Sequence, residues 1–132
     1  MTTPDPARKA RILLGTAFTG AGIAHVVKHE WFEQLVPEPL FRWRKSISAV
    51  TAVIQFVGGI SMFIPRLRVV GRWTNLAMLV PTLPAAIDQI NHPEALRKAG
   101  ILPQLAPVRV VVQTLVAALT WWATRPLPND PI

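Results

Sequence analysis

All three histidines of this chain stand four residues from another group able to bind a metal or a proton. His25 precedes His29 by four, and Asp88 precedes His92 by four. On a helix that spacing puts both members of a pair on one face. Three imidazole nitrogens and one carboxylate would make a tetrahedral set suited to zinc. Against it, His29 and His92 fall at predicted helix ends, where water satisfies an imidazole. The favoured reading is therefore no metal site, with His25, His29, Asp88 and His92 as the residues that would build one. A haem held by His25 and His29 is disfavoured, because two ligands on one helix approach an iron from the same side. His25 reads best as a hydrogen-bonded structural histidine paired with Asp88 or Arg109. Asp88 has two readings: a carboxylate reaching for lipid headgroups opposite Arg109, or a proton-handling group beside a bound ligand.

An arginine and two amides extend this set. Arg109 and Gln113 are again four apart and share a helix face. Gln55 lies deep in the longest uncharged run of the chain. Polar groups inside apolar segments are costly and default to functional candidates. Together His25, Gln55, Asp88, Arg109 and Gln113 predict a polar-lined cavity, provided that the elements carrying them converge.

Those elements read as membrane spans. Ser46 to Ile64 runs nineteen residues without a charge, and about eighteen or more such residues mark a transmembrane helix. Shorter apolar runs cover Ile12 to Val27, Trp73 to Ile87 and Val110 to Thr124. None carries a polar stripe at helical period, and a helix apolar all round is buried or in lipid. The five tryptophans fall at or near the run ends, where indole favours the membrane interface. The expected fold is all-α: a four-transmembrane-helix bundle, up-down-up-down, forming one domain over residues 1–132. Its spans cover about residues 7–28, 44–64, 71–91 and 108–124. The first run lacks a small-residue cleavage site and reads as a retained span. The segments between spans 1 and 2 and between spans 3 and 4 are expected to lie on the membrane surface, the latter with one short helix. Pro65 stops the second span, and Pro81 and Pro84 invite a kink in the third. The Pro-rich tail after Arg125 is expected to fray. Gly-rich stretches in span 1 and Gly58–Gly59 in span 2 suit close helix packing.

Composition narrows the function. The chain has no cysteine, which removes thiolate chemistry, Fe–S ligation and disulfides within it. The net charge of +7 is spread in short basic clusters between the apolar runs. Such clusters suit anionic headgroups, and no nucleic-acid motif accompanies them. With both termini on one side, Lys and Arg divide seven and seven. The terminal-side residues lie in shorter segments close to span ends, which favours N-in and C-in. That topology gathers the ends of spans 1 and 3 and the starts of spans 2 and 4 on the opposite face, with the candidate residues.

Three segments add a family likeness. GTAFTGAGIAHVVKHEWFEQLVPEPL, IPRLRVVGRW and APVRVVVQTLVAALTWWATRP occur in this order on the proposed spans. They resemble the DoxX-like family of small four-helix membrane proteins in its His-containing first helix, its helix 2–3 hairpin, and its last helix with Arg four before Gln. His25, Pro37, Arg109 and Gln113 are the matching positions. Gln55 stands where family members often carry Glu, and Leu83 where many carry Asn. The resemblance implies a multi-pass protein of the bacterial cytoplasmic membrane, acting as an accessory or anchoring subunit of a membrane redox complex. No intrinsic cofactor is expected; the cavity would take a quinone headgroup or a lipid. Implied partners are membrane lipids and a membrane protein partner or a second copy of the chain. The alternative is a stand-alone membrane oxidoreductase or small-ligand-binding protein using His25 and Asp88.

Overall fold

The structure, a computed structural model, describes residues 5–126, all helix and connection with no strand among them. The tail beyond residue 126 and its expected fraying lie outside the described residues. The described residues form, in order, the α-helices α1 (Arg8–Val27), α2 (His29–Glu33), α3 (Arg44–Phe63), α4 (Arg68–Leu79), α5 (Leu83–Asn91), α6 (Glu94–Lys98) and α7 (Leu105–Ala123). Short 3-10 turns, Glu38–Trp43 and Pro65–Leu67, lead into α3 and α4. Among the described residues, three segments are long and apolar enough to cross a membrane: Arg8–Val27, Glu38–Phe63 and Leu105–Ala123. Twenty helical residues rise about 30 Å, the thickness of a hydrocarbon core. This is the build of a membrane protein.

The outer surface supports that statement. Leu13, Val27, Val53 and Leu115 are each more than 60% exposed, while Gln55, Asn75, Gln89 and Thr120 are buried. A surface so apolar over a partly polar interior is unfavourable in water and suited to lipid.

Close packing begins where side chains are missing. A Cβ on Gly15 would stand 2.9 Å from the Gly59 carbonyl oxygen, and one on Gly59 would stand 2.6 Å from the Thr19 backbone nitrogen. The backbones of α1 and α3 thus touch directly, which maximises dispersion contact where lipid supplies no hydrophobic drive. The most extensive helix contact of the fold is this pair, followed by α3 on α4. Helices α4 and α5 both pack on α7, and α7 returns to α1.

The third apolar run departs from expectation. In place of one kinked span over 71–91 there are two helices, interrupted at residues 80–82. Pro81 cannot donate to the carbonyl one turn back, and its ring crowds that carbonyl. Pro84 then enters at the first turn of α5, where a missing donor costs little. The interruption leaves the Leu79 carbonyl without a helical partner. Gln113 on α7 fills that vacancy with its amide nitrogen at 2.7 Å, and the same nitrogen lies 2.8 Å from the Thr82 hydroxyl. Helix α7 itself starts at Leu105, ahead of the predicted 108, because Pro107 sits in its first turn and needs no donor there.

Two arginines close the other end of α7. Arg11 on α1 donates to the Ala123 carbonyl at 2.9 Å and pairs with Asp5. Arg72 on α4 donates to the Thr124 carbonyl at 2.8 Å and to its hydroxyl at 3.0 Å, with its guanidinium over the Trp121 ring. The last carbonyls of a helix lack partners and carry the negative end of its dipole, so cations belong there.

Candidate functional site

Between α1, α3, the α4–α5 interruption and α7 lies a cavity of about 460 Å³. That volume lies within the range of small-molecule sites. Its walls are mostly apolar, with Phe32, Leu35 and Met78 among them, and polar groups enter from four directions. Gln55 comes from α3, His25 from α1, Thr82 and Gln89 from the interrupted segment, and Arg109 and Gln113 from α7.

Of these six side chains, all but Gln55 have a definable duty. Gln113 is spent on the helix interruption. The buried Gln89 accepts from Arg109 Nη1 at 2.5 Å through Oε1 and donates through Nε2 to the Leu35 carbonyl at 3.3 Å. It thereby ties α7 to the segment after α2. His25 has a ring contact through Nδ1 with the Ala21 carbonyl at 3.0 Å. Only an N–H can serve a carbonyl, so Nδ1 carries the proton, and Nε2 of the neutral ring is an acceptor. The ring stacks on Phe32, centroids 3.7 Å apart and planes 19° apart. This replaces the expected pairing of His25 with Asp88 or Arg109: the helix carbonyl one turn back is always within reach, whereas Asp88 faces elsewhere. Gln55 remains. Its Oε1 is buried and accepts no hydrogen bond.

One end of the cavity is closed by the segments that precede α3 and α7. The Trp31 indole on α2 donates to the Ala99 carbonyl at 2.9 Å, immediately after α6. That carbonyl is held in place by a tight helix ending. Gly100 takes φ of 78°, Gly100 N–H bonds Arg97 O at 3.1 Å, and Ile101 N–H bonds Leu96 O at 2.9 Å. The positive φ favours glycine at this position.

The predicted residues separate into two sets. His25, Gln55, Arg109 and Gln113 line one cavity. Asp88 does not: it is exposed and paired with His92 at 3.0 Å, on the outer side of α5. His29 turns to Glu33 at 3.1 Å on its own short helix. The four residues with metal-ligand spacing are thus divided between separate pairs, and the described residues hold no group of three or more His, Cys, Asp or Glu able to share a metal.

Sequence reasoning passed over Gln89 and Thr82. Their signal was legible: Thr82, Ala85 and Gln89 follow the i, i+3, i+7 spacing of one helix face, and all three line the cavity. Asp88, one position away, is turned about 100° from that face.

Compared with known proteins, residues 14–124 match the family model described as a domain of unknown function (DUF8561). The match takes in every residue that lines the cavity. The chain belongs to this family. No curated protein and no solved structure matches it.

Proposed function

We propose that this member of the family is a four-span membrane protein whose cavity holds the polar headgroup of a membrane-soluble ligand, a quinone or a lipid. The four spans would be α1, α3, the α4–α5 segment and α7, in up-down-up-down order, N-in and C-in. Tryptophans at both ends support this order, with Trp31 and Trp43 at one end and Trp73, Trp121 and Trp122 at the other. The likeness to the DoxX-like family favours a bacterial cytoplasmic membrane and a role as accessory or anchoring subunit of a redox complex.

The observation that carries the reading is the Gln55 carboxamide. A buried acceptor left unpaired costs about 1–3 kcal/mol, so its partner is expected from the cavity that it lines. A quinone headgroup suits the neighbouring chemistry. Its carbonyl oxygens would take donors from Arg109 and the Gln55 amide nitrogen, and its reduced hydroxyls would donate to Gln55 Oε1 and His25 Nε2. When bound, such a group supplies reversible two-electron, two-proton chemistry. This chain's own residues would orient the ring, and His25 would hold a proton at Nε2. With Asp88 turned away, His25 is, among the described residues, the only imidazole or carboxyl group lining the cavity.

The test is mass spectrometry of the chain extracted in mild detergent from its own membrane, with organic extraction of what it carries. A quinone or lipid at fixed stoichiometry, lost in Gln55→Leu while the fold is kept, supports the reading. Equal retention by wild type and Gln55→Leu refutes it. A protein partner retained at fixed ratio supports the subunit role, and its absence favours a stand-alone binding protein.

A further inference from the structure

A second recess, about 410 Å³, lies on the other side of His25 between α1, α2 and α3. Its α3 wall is made by Lys45, Ser48, Ala49, Ala52, Val53 and Phe56, which follow the spacing of one helix stripe. Polarity falls steadily along that stripe, from an ammonium through a hydroxyl to methyls and a phenyl ring. Eleven residues of rise cover about 16 Å, the depth from a phosphate to the middle of an acyl chain. Val53, 61% exposed, leaves the lower part of the groove open to the hydrocarbon.

The polar end carries charges of both signs. Glu33 from α2 is buried, and one carboxylate oxygen meets His29 at 3.1 Å. Its other oxygen has no partner among the described residues. Lys45, exposed across the groove, has no ion pair among them either. Ser48 is 95% or more covered, yet its Oγ makes no hydrogen bond. An unpartnered carboxylate oxygen, an unpaired ammonium and an orphaned hydroxyl therefore line the upper groove above an apolar channel.

We propose that this groove is a site for a phospholipid with a primary-amine headgroup, its ammonium on Glu33 and its phosphate on Lys45. Ser48 donates to an oxygen at the glycerol level, and one acyl chain descends along Ala52, Val53 and Phe56. The carboxylate decides the headgroup class. A purely anionic headgroup would meet Glu33 as a like charge, and a quaternary ammonium has no N–H to give it. Quaternary ammonium recognition uses Trp, Tyr or Phe faces around the charge, whereas among the described residues the only such ring in this groove, Phe56, lies at its apolar end, and the His29 imidazole at the polar end is engaged with Glu33.

The full chain is reconstituted in nanodiscs of equal phosphatidylethanolamine, phosphatidylcholine and phosphatidylglycerol, then ejected for native mass spectrometry. The expected result is one retained phosphatidylethanolamine, favoured about tenfold over either competitor, the ratio for one charge-assisted hydrogen bond. Glu33→Gln abolishes that preference, and Lys45→Gln weakens retention of all three lipids. Should Glu33→Gln fail to fold, wild type is challenged with mono- and dimethylated phosphatidylethanolamine, and retention falls as N–H groups are removed. Equal retention of the three lipids, preference for phosphatidylglycerol, or indifference to methylation overturns the proposal.

Discussion

Alanine at Gly59 tests the α1–α3 contact on which the cavity depends, since α1 carries His25 and α3 carries Gln55. The new Cβ would lie 2.6 Å from the Thr19 backbone nitrogen, 2.4 Å from its hydroxyl and 3.0 Å from the Gly15 carbonyl. Ordinary contacts begin near 3.4 Å, so the helices must part by about 0.8 Å (3.4 less 2.6). The obstacle is backbone, and no rotamer change removes it. Overpacking of this kind costs about 1–3 kcal/mol. Replacing a helical glycine by alanine returns about 0.5–1 kcal/mol. At the middle of both ranges the clash wins, leaving a net loss of about 1 kcal/mol, roughly a 5- to 10-fold fall in the folded-to-unfolded ratio. Gly20 is the control, because a Cβ there meets nothing within 4 Å. Gly20→Ala should be neutral or more stable by up to about 1 kcal/mol. Reversible unfolding in mixed micelles, followed by tryptophan fluorescence, measures both variants against wild type. If Gly59→Ala proves as stable as Gly20→Ala, the direct backbone contact between α1 and α3 is wrong.

Arg72→Ala removes two hydrogen bonds to Thr124 and the cation over Trp121; we expect a loss of about 2–3 kcal/mol in the same assay. An altered Trp121 emission should accompany it, and an unchanged midpoint would show that α7 is not held there. The Asp5 carboxyl lies below its ordinary value of 3.8, chiefly through its hydrogen bond with Arg11. A folded-state value that is depressed stabilises above the unfolded value and ceases to do so as pH falls through the folded one. Asp5→Asn should therefore be less stable than wild type at pH 7, with the gap closing only below about pH 4; a gap independent of pH would exclude that ion pair as its source.

Much of this molecule is legible in its one-dimensional pattern. Long uncharged runs, tryptophans near their ends and basic residues between them specify membrane helices, because hydrocarbon tolerates neither charge nor an unpaired backbone. The i,i+4 relation of Arg109 and Gln113 likewise placed them on one face, and both line the cavity. Periodicity alone even contained Thr82 and Gln89.

Other features depended on which groups meet in space. Pro81 and Pro84 signal disturbance, but an interrupted helix in an apolar setting needs a donor for its freed carbonyl. That donor, Gln113, stands 34 residues from Leu79. The choice between Asp88 and Gln89 as the inward group turned on the rotation of α5 against α7, set where Gln89 meets both Arg109 and Leu35. His25 took the nearest acceptor, the Ala21 carbonyl, so the distant partners inferred from charge were not needed. Helix identity follows from local composition, which each stretch of sequence carries by itself. Cavity membership follows from long-range packing, where a step of one residue, about 100° around the helix, decides whether a side chain faces the cavity or the outer surface.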